Sequence, residues 1–282
     1  MACTVAALLG ACGSDDAAPA AATGTGSSVP DVTTATATST SVAPTTTFDG
    51  VVDELRVEVI ARRDRDASVF TQGFELDGDV LFETGGIYGE STVRIVDAAT
   101  GAATGSIDLP DELFAEGLTL VDDELIVLTW QEGIALVLDP QTLAELERRT
   151  YDGEGWGLCD DGVRLVMSNG TDRLTFRDRV TFAPLGEVAV TADGAPMSQL
   201  NELECVDGEV YANVWQTDTI VRIDPGTGVV TARIDASGLL DGAERVRADV
   251  LNGIAYDDEA DTFLVTGKRW PAMFEVRFVP AA

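Results

Sequence analysis

Residues 72–82 read Gln-Gly-Phe-Glu-Leu-Asp-Gly-Asp-Val-Leu-Phe, and the same pattern returns four more times along the chain. The pattern is a short apolar stretch, an acidic or glycine-containing turn, and a second apolar stretch. The later copies begin at Glu116, Trp156, Asn201 and Asn252. Asp-Gly between two apolar runs is the strongest short-range signal for a β-hairpin. Because the hairpins recur about every 40 to 50 residues, the sequence predicts a β-propeller.

Each of the first four copies is followed by a second predicted hairpin. The turns of these four second hairpins lie in residues 94–101, 137–142, 175–181 and 222–228. Two hairpins supply four strands, which make one propeller blade. The fifth copy has a single outer strand, residues 273–279, and residues 55–60 can supply the strand it lacks. We therefore predict that residues 51–282 form an all-β domain, a five-bladed β-propeller closed by pairing of N- and C-terminal strands, which leaves no free sheet edge.

The composition excludes several classes of function. The chain has 49 acidic and 18 basic residues, a formal net charge of −31 and a pI near 4.1. This charge repels phosphate backbones, so we expect no nucleic-acid partner, but it attracts cations such as a protonated peptide N-terminus. Solubility in a salty or external medium is the simpler explanation of the charge. The chain has no histidine, which excludes Ser-His-Asp catalysis and the commonest zinc ligand.

The N-terminal segment is predicted to lie outside the domain. Residues 5–12 form an apolar stretch that ends in small residues and Cys12, as in a bacterial lipoprotein signal. The stretch is too short to span a bilayer as a helix. We predict a signal peptide over residues 1–12 with Cys12 lipidated, and a flexible Ala- and Thr-rich tether over residues 13–50. This predicts an extracytoplasmic protein, lipid-anchored to the bacterial cell membrane; a disordered N-terminus without a signal is the alternative.

Cys159 and Cys205 occupy nearly equivalent places on neighbouring predicted blades. Their positions in the repeat differ by one residue, which predicts that the two side chains point to opposite sides of their sheets. We therefore predict two buried thiols. A disulfide between them is the alternative outside the cytoplasm.

One face of the predicted ring collects unusual residues. In a hairpin, the start of the first strand and the end of the second lie at the same end. The residues at these positions are Gln72, Glu116, Trp156, Asn201 and Asn252 at the starts, and Thr84, Trp130, Asn169, Trp215 and Lys268 at the ends. The positions repeat but the residue types do not, as expected for a site built on a repeated scaffold. We place the candidate site at this rim, around the central funnel.

The rim sequences also carry a family resemblance. They are residues 70–73 (Phe-Thr-Gln-Gly), 85–91, 114–119 (Phe-Ala-Glu-Gly-Leu-Thr), 128–130, 155–158, 200–204 (Leu-Asn-Glu-Leu-Glu), 213–215, 250–255 and 266–271 (Thr-Gly-Lys-Arg-Trp-Pro). Together they resemble the plant-type glutaminyl-peptide cyclotransferases, over essentially all of residues 65–278 and at matching spacing. The resemblance implies a five-bladed propeller and conversion of N-terminal glutamine to pyroglutamate with release of ammonia. It also implies no relation to the animal-type zinc enzyme.

The resemblance implies roles for nine residues. Glu116 matches the catalytic glutamate, which would take a proton from the α-amine and return one to the leaving nitrogen. Gln72, Asn201 and Lys268 would supply polar contacts, including a donor to the oxyanion. The aromatic pocket that folds back the glutamine side chain would consist of Phe70, Phe114, Trp130, Trp156 and Trp215.

Each assignment has a simpler alternative. Glu116 could be one solvated carboxylate among many, and Lys268 a surface charge. Gln72 and Asn201 could serve only the backbone. The pocket aromatics could be core residues, as we predict for Trp270.

Two other functions stay open at this level. A non-catalytic surface-anchored propeller could hold a peptide end or another ligand in the same pocket. A propeller glycosidase would need two carboxylates flanking the scissile bond. Glu202 and Glu204 lie near Asn201, but the resemblance gives them no such role. A single functional carboxylate favours cyclisation.

The predicted enzyme is an acyltransferase of the aminoacyltransferase class, with no catalytic metal or other cofactor. The acidic turns at residues 122–124 and 257–259 could hold a structural Ca²⁺ ion, and a structural Zn ion is the other metal considered. The predicted partners are peptides or proteins with N-terminal glutamine. We expect contact with the membrane only through the lipid, and a monomer.

Overall fold

The structure is a computed structural model that describes residues 50–281. The predicted signal peptide, Cys12 and the predicted tether up to residue 49 lie outside these residues. The described part is all-β apart from one short helix, so the predicted class is confirmed. Within residues 50–281, no helix has the length and apolar character needed to cross a bilayer.

Three sheets have four antiparallel strands each, paired in chain order. The first strand of the chain, β1 (Asp53–Asp64), precedes them. The first sheet consists of β2 (Thr71–Asp77), β3 (Val80–Gly85), β4 (Thr92–Asp97) and β5 (Ala103–Asp108). The second consists of β6 (Ala115–Val121), β7 (Glu124–Thr129), β8 (Ile134–Leu138) and β9 (Glu145–Thr150). The third consists of β10 (Leu158–Asp160), β11 (Leu165–Ser168), β12 (Arg173–Arg177) and β13 (Pro184–Ala189).

The fourth sheet has ten strands. After the short strands β14 (Thr191–Ala192) and β15 (Ala195–Pro196) come β16 (Leu200–Val206), β17 (Glu209–Val214), β18 (Thr219–Asp224) and β19 (Val229–Asp235). The helix α1 (Gly242–Arg245) is followed by β20 (Leu251–Asp257), β21 (Thr262–Gly267) and β22 (Ala272–Pro280). The order in the sheet is β16-β17-β18-β19-β1-β22-β21-β20, and β14 pairs with β15 and β19.

Strand β1 brings the two ends of the described chain together. It pairs antiparallel with β22, from Leu55 opposite Pro280 to Asp64 opposite Ala272. The predicted pairing of the N- and C-terminal strands is therefore confirmed. The strand is longer than the sequence predicted, and its first residues also pair in parallel with β19. This second pairing explains why the last two groups of strands form one continuous sheet.

The turn between the third and fourth strands is the same in four places. An aspartate at its start accepts hydrogen bonds from backbone amides and a threonine hydroxyl two to three residues later. These aspartates are Asp97, Asp139, Asp178 and Asp224. The Asp-x-x-Thr spacing thus has a local cause, because the carboxylate replaces backbone partners that the tight turn cannot provide.

Apolar side chains pack between successive sheets. Leu118 and Leu125 join a cluster with Phe82 of the first sheet, and Leu158 of the third sheet packs with residues of the second. A further cluster joins Phe74 on β2 to Leu264 on β21. The last strands of the chain therefore pack against the first sheet. The innermost strands lie side by side in the same order, with β2 against both β6 and β20.

Glycines allow the innermost strands to approach one another. Gly73, Gly117, Gly157 and Gly253 are each the second residue of a repeat, and a Cβ atom on Gly117 would lie 2.6 Å from the Trp156 carbonyl oxygen. The fifth innermost strand has Glu202 at this place. Its Oε2 accepts a 2.8 Å hydrogen bond from the Ile254 amide, and its carboxylate also accepts from the Phe74 amide. Glu202 therefore links β16 to β20 and β2 across the centre of the strands.

The prediction of two buried thiols is wrong, because Cys159 and Cys205 form a disulfide with their Cα atoms 5.5 Å apart. The two residues lie on the facing sides of β10 and β16, within one apolar cluster. When two sheets stack, the upper side of one faces the lower side of the other. Two side chains that meet between the sheets must therefore point to opposite sides of their own sheets. The one-residue offset in the repeat provides this arrangement.

Candidate active site

All nine residues predicted for the site line one cavity of about 410 Å³. Glu116 is the second residue of β6, and Gln72 and Asn201 are the second residues of β2 and β16. Lys268 directly follows β21. The aromatic walls are Phe70, Phe114, Trp130, Trp156 and Trp215. The structure thus gathers at one rim side chains that are up to 198 residues apart in the chain, as 268 − 70 gives.

Irregular pairing at the strand starts directs these side chains. The β2–β3 register shifts between Thr71 and Gly73, so Gln72 has no ladder partner. The register of β6 shifts between Ala115 and Leu118, and that of β16 between Leu200 and Leu203. A β-bulge leaves a residue unpaired and changes the direction of its side chain. Glu116 and Asn201 are therefore released from the regular alternation of their strands.

Glu116 is a buried carboxyl group, 5% exposed. Its Oε1 accepts a 3.1 Å hydrogen bond from Nε2 of Gln72. Burial raises the pKa of Glu116 well above its usual value; the charge of Lys268 lowers it, and the charges of Glu154 and Glu132 raise it further. A carboxyl group with a raised pKa exchanges protons closer to neutral pH, so Glu116 is suited to both accept and donate a proton.

Lys268 is the only lysine in the sequence, and it is 4% exposed. Its Nζ lies 4.9 Å from the centre of the Phe70 ring, within cation–π distance. Burial lowers its pKa, while the charges of Glu116 and Asp249 act in the opposite direction. The surface-charge alternative for Lys268 is therefore wrong, because the amine is enclosed by the cavity.

Asn201 is 2% exposed, and its Oδ1 has no hydrogen-bond partner among the described residues. Buried polar atoms in proteins nearly always have a partner, so an unpartnered acceptor in a cavity wall is available to a ligand. An ammonium or amide N–H of a ligand would satisfy it.

The aromatic walls form two groups. Phe114 and Trp130 lie 5.5 Å apart between ring centres, and Trp156 and Trp215 meet edge to face at 5.6 Å. Glu154 connects the groups, because its Oε2 accepts from the indole N–H of Trp130 at 2.9 Å and of Trp156 at 3.0 Å. Although burial raises the pKa of Glu154, its hydrogen bonds from Trp156, Trp130 and Gln131 outweigh burial, so the pKa is lowered.

Gly170 supports the Trp156 ring from behind. It has a φ of +76°, and a Cβ atom there would lie 2.6 Å from ring atoms of Trp156. Only glycine combines this backbone conformation with such a close approach.

Arg65 connects the two chain segments that carry Gln72 and Lys268. Its side chain donates to the hydroxyls of Thr71 at 2.9 Å and Thr266 at 2.8 Å, and it pairs with Glu83. Thr71 precedes Gln72, and Thr266 lies two residues before Lys268. The buried guanidinium thus holds strands β2 and β21 at a fixed separation beside the cavity.

Sequence reasoning missed several contributors. Gln216, Asp249 and Val250 also line the cavity. The sequence signal for Glu154 was weak, because it consisted only of its place two residues before Trp156. Tyr88 lies 5.2 Å from Phe114 between ring centres, and it belongs to the 85–91 stretch quoted for the resemblance. The other rim residues are not part of the cavity lining. They are Thr84, Asn169 and Asn252, and each bonds to nearby protein groups.

Glu202 and Glu204, the carboxylates considered for a glycosidase, do not line the cavity. Both are buried, and burial raises the pKa of each. Asp249 is a second carboxylate in the lining, but it is exposed and accepts from the adjacent Val250 amide. Glu116 is therefore the one buried carboxyl group among the described residues that line the cavity.

Among the residues that the structure describes, no three His, Cys, Asp or Glu side chains are placed to hold a metal ion. In the acidic turn at residues 257–259, Asp257 Oδ1 accepts from the amides of Glu259 and Ala260. This carboxylate serves the turn itself.

Comparison with known proteins adds three findings. The family model described as glutamine cyclotransferase matches residues 32–278. The chain is 38% identical over 232 residues to the glutaminyl-peptide cyclotransferase of Arabidopsis thaliana, covering 80% of this chain and 72% of the plant protein. It also matches the crystal structure of the Myxococcus xanthus glutaminyl cyclase with a TM-score of 0.75 at 34% identity, covering 82% of this chain and all of that one.

Proposed function

Because the chain belongs to the glutamine cyclotransferase family, we propose that it converts the N-terminal glutamine of peptides or proteins to pyroglutamate with release of ammonia. The observation that carries the proposal is the position of Glu116. It is a buried carboxyl group with a raised pKa in a cavity that is also lined by an amine, three side-chain amides and five aromatic side chains. The enzyme would be an acyltransferase of the aminoacyltransferase class, since an acyl carbon passes from one nitrogen to another.

The reaction needs one new bond and one broken bond. The α-amine nitrogen of the substrate attacks its own side-chain amide carbon, and the C–N bond to the departing nitrogen breaks. Glu116 takes a proton from the attacking amine and delivers one to the leaving nitrogen, which departs as ammonia. The carboxyl group thus ends in the protonation state in which it began.

The other side chains hold the substrate and stabilise charge. The aromatic walls exclude water and hold the side chain folded onto its own amine, which makes attack intramolecular in a favourable geometry. Lys268 and Gln72 are the donors proposed for the negative charge that develops on the amide oxygen. The unpartnered Oδ1 of Asn201 is proposed to accept from a substrate N–H.

We also propose that the strands make up five propeller blades. Three blades are the four-stranded sheets, and the remaining two are β16 to β19 and β20 to β22 with β1. The apolar clusters between successive sheets, including the one between β21 and β2, support a closed ring.

A lipid-anchored extracytoplasmic location on a bacterial cell is part of the proposal. The Cys159–Cys205 disulfide supports it, because disulfides persist in oxidising compartments. The net charge of −31 supports peptide ligands with a protonated N-terminus over nucleic acid. We propose a monomer, with structural Ca²⁺ or Zn²⁺ not required for the reaction.

The test is an ammonia-release assay on Gln-Ala with mass spectrometry of the product, using the full chain. Glu116→Gln should reduce kcat by about 10²–10⁴-fold, the range for general acid–base catalysis. Glu259→Gln, in the hairpin turn at the far end of β20, is the matched control and should retain activity. Chelator treatment should leave the rate unchanged. Tryptophan fluorescence that reports peptide binding without ammonia release would favour a binding protein.

A further inference from the structure

A second cavity of about 350 Å³ adjoins the candidate active site, and Phe70 lines both. From Phe70 it extends outward beside the first sheet, past Thr92, Arg94 and Ser106. We call this cavity the outer groove. A peptide whose N-terminal residue occupies the active-site cavity must continue out of it, and the wall shared through Phe70 is a direct route.

Arg269 stands at the junction of the two cavities. It lines the outer groove, and its Cζ lies 5.8 Å from the centre of the Phe70 ring. The preceding residue, Lys268, approaches the same ring from the active-site cavity. One aromatic ring therefore contacts two consecutive cations, one belonging to each cavity.

Arg269 has no carboxylate partner among the described residues. Most arginines in residues 50–281 lie within 4.0 Å of a carboxylate, but Arg269 does not. In the outer groove, Asp66 pairs with Arg94 at 3.2 Å. The other two charged residues of the outer groove, Glu90 and Arg269, have no ion pair among the described residues. Of these two, only Arg269 contacts Phe70. In a chain with a net charge of −31, an exposed and unpaired arginine beside the active site is the favourable place for an anion.

The backbone holds Arg269 in an uncommon conformation. Its φ is +57°, which is unfavourable for a residue with a side chain. Its amide donates to the Val69 carbonyl at 2.8 Å, and the Trp270 amide donates to Gly267 at 3.1 Å. The buried Trp270 ring is fixed through its indole N–H to Asp249. The local fold thus fixes the backbone of Arg269, while its exposed side chain has no ion pair among the described residues and keeps only the contact with Phe70.

We propose that Arg269 binds a carboxylate on the residue that follows the N-terminal glutamine. This carboxylate is the side chain of Asp or Glu at the second position, or the C-terminal carboxylate when the substrate is a dipeptide. The inference rests on the proposed function, because it requires a peptide glutamine in the active-site cavity. Consecutive Cα atoms are 3.8 Å apart, so a second residue that crosses Phe70 brings its carboxylate within reach of the guanidinium.

The experiment compares two peptides, Gln-Glu-Ala-amide and Gln-Gln-Ala-amide, at low ionic strength with the full chain. The ratio of their kcat/KM values gives the preference for an acidic second residue. We expect about a three- to fivefold preference, as for a partly exposed ion pair, and a smaller one at 0.5 M salt. Arg269→Gln should reduce the ratio to about 1, and Arg269→Lys should retain part of it. Arg277→Gln, an arginine on β22 without an ion pair among the described residues, is the matched control and should keep the wild-type ratio.

The same ratio is measured as Kd by tryptophan fluorescence, so that it does not depend on turnover. If no peptide releases ammonia but the acidic peptide binds more tightly to the wild type than to Arg269→Gln, the proposed function fails and the subsite stands. If both peptides have equal kcat/KM and equal Kd, or if the preference survives in Arg269→Gln, the subsite is overturned. Absence of any peptide binding overturns both.

Discussion

Nε2 of Gln72 donates a 3.1 Å hydrogen bond to Oε1 of Glu116, although the two residues lie on different sheets. The orientation of the Gln72 amide is set from its other side. Nδ2 of Asn252 lies 3.5 Å from Oε1 of Gln72 and donates to the Thr71 carbonyl at 3.0 Å. The contacts from Asn252 to Gln72 and from Gln72 to Glu116 therefore direct an N–H group towards the carboxyl that we propose as the proton shuttle.

Replacing Gln72 with methionine keeps the approximate side-chain volume but removes the donor to Glu116. A hydrogen bond to a charged group contributes about 1.5–3 kcal/mol, so we expect kcat/KM to fall about 10- to 100-fold. Steady-state kinetics on a Gln-peptide measure the change. Gln141→Met, in an exposed turn of the second sheet, controls for the chemistry of the replacement. Unchanged kinetics in Gln72→Met would show that the contact has no role in the reaction.

The pH dependence of the reaction should respond to Lys268. Its positive charge favours the ionised form of Glu116 and so lowers the pKa of that carboxyl. Removing the charge in Lys268→Met raises the pKa further, and a base must be ionised to accept a proton. We therefore expect the acidic limb of the kcat/KM profile to move to higher pH, with the largest loss of activity at the acidic end. Lys268→Arg should keep the limb near its original place, and an identical limb in all three proteins would contradict the coupling.

Stability should fall as the pH rises, because of Glu75. Burial raises its pKa to about 8, and the nearby charges of Asp160 and Asp77 act in the same direction. A group whose pKa is raised in the folded state binds its proton more tightly there, so its contribution is complete below about 4.5 and is lost as the pH passes about 8. The urea midpoint should decrease between pH 5 and pH 9, and less steeply in Glu75→Gln. Parallel pH dependences of the two proteins would contradict this.

The disulfide should stabilise the fold. Cys159 and Cys205 are 46 residues apart, and closing such a loop restricts the unfolded chain by about 3–4 kcal/mol. A reducing agent should therefore lower the urea midpoint of the wild type. The double variant Cys159→Ala with Cys205→Ala should start at the lower midpoint and show no response to reductant. A wild type that does not respond would mean that the bond does not contribute to stability.

The repeat predicted that the nine side chains would gather at one rim, because positions at strand starts and strand ends meet there. It could not predict the bulges that release Gln72, Glu116 and Asn201 from their ladders, since a register shift depends on both strands of a pair. Nor could it predict that Glu202 replaces a glycine in order to link three strands, because the acceptors of a buried carboxylate come from distant segments. The disulfide was judged wrongly because the two cysteines were compared within one sheet, whereas they meet between two.

The single lysine also limits how this protein can be labelled through amines. Amine-reactive dyes, biotin esters and sensor-chip coupling would find one lysine side chain in this sequence, Lys268. Any conjugate that forms at this lysine places its label in the candidate active-site cavity. Labels intended for binding studies should therefore be placed through a cysteine introduced on an outer strand.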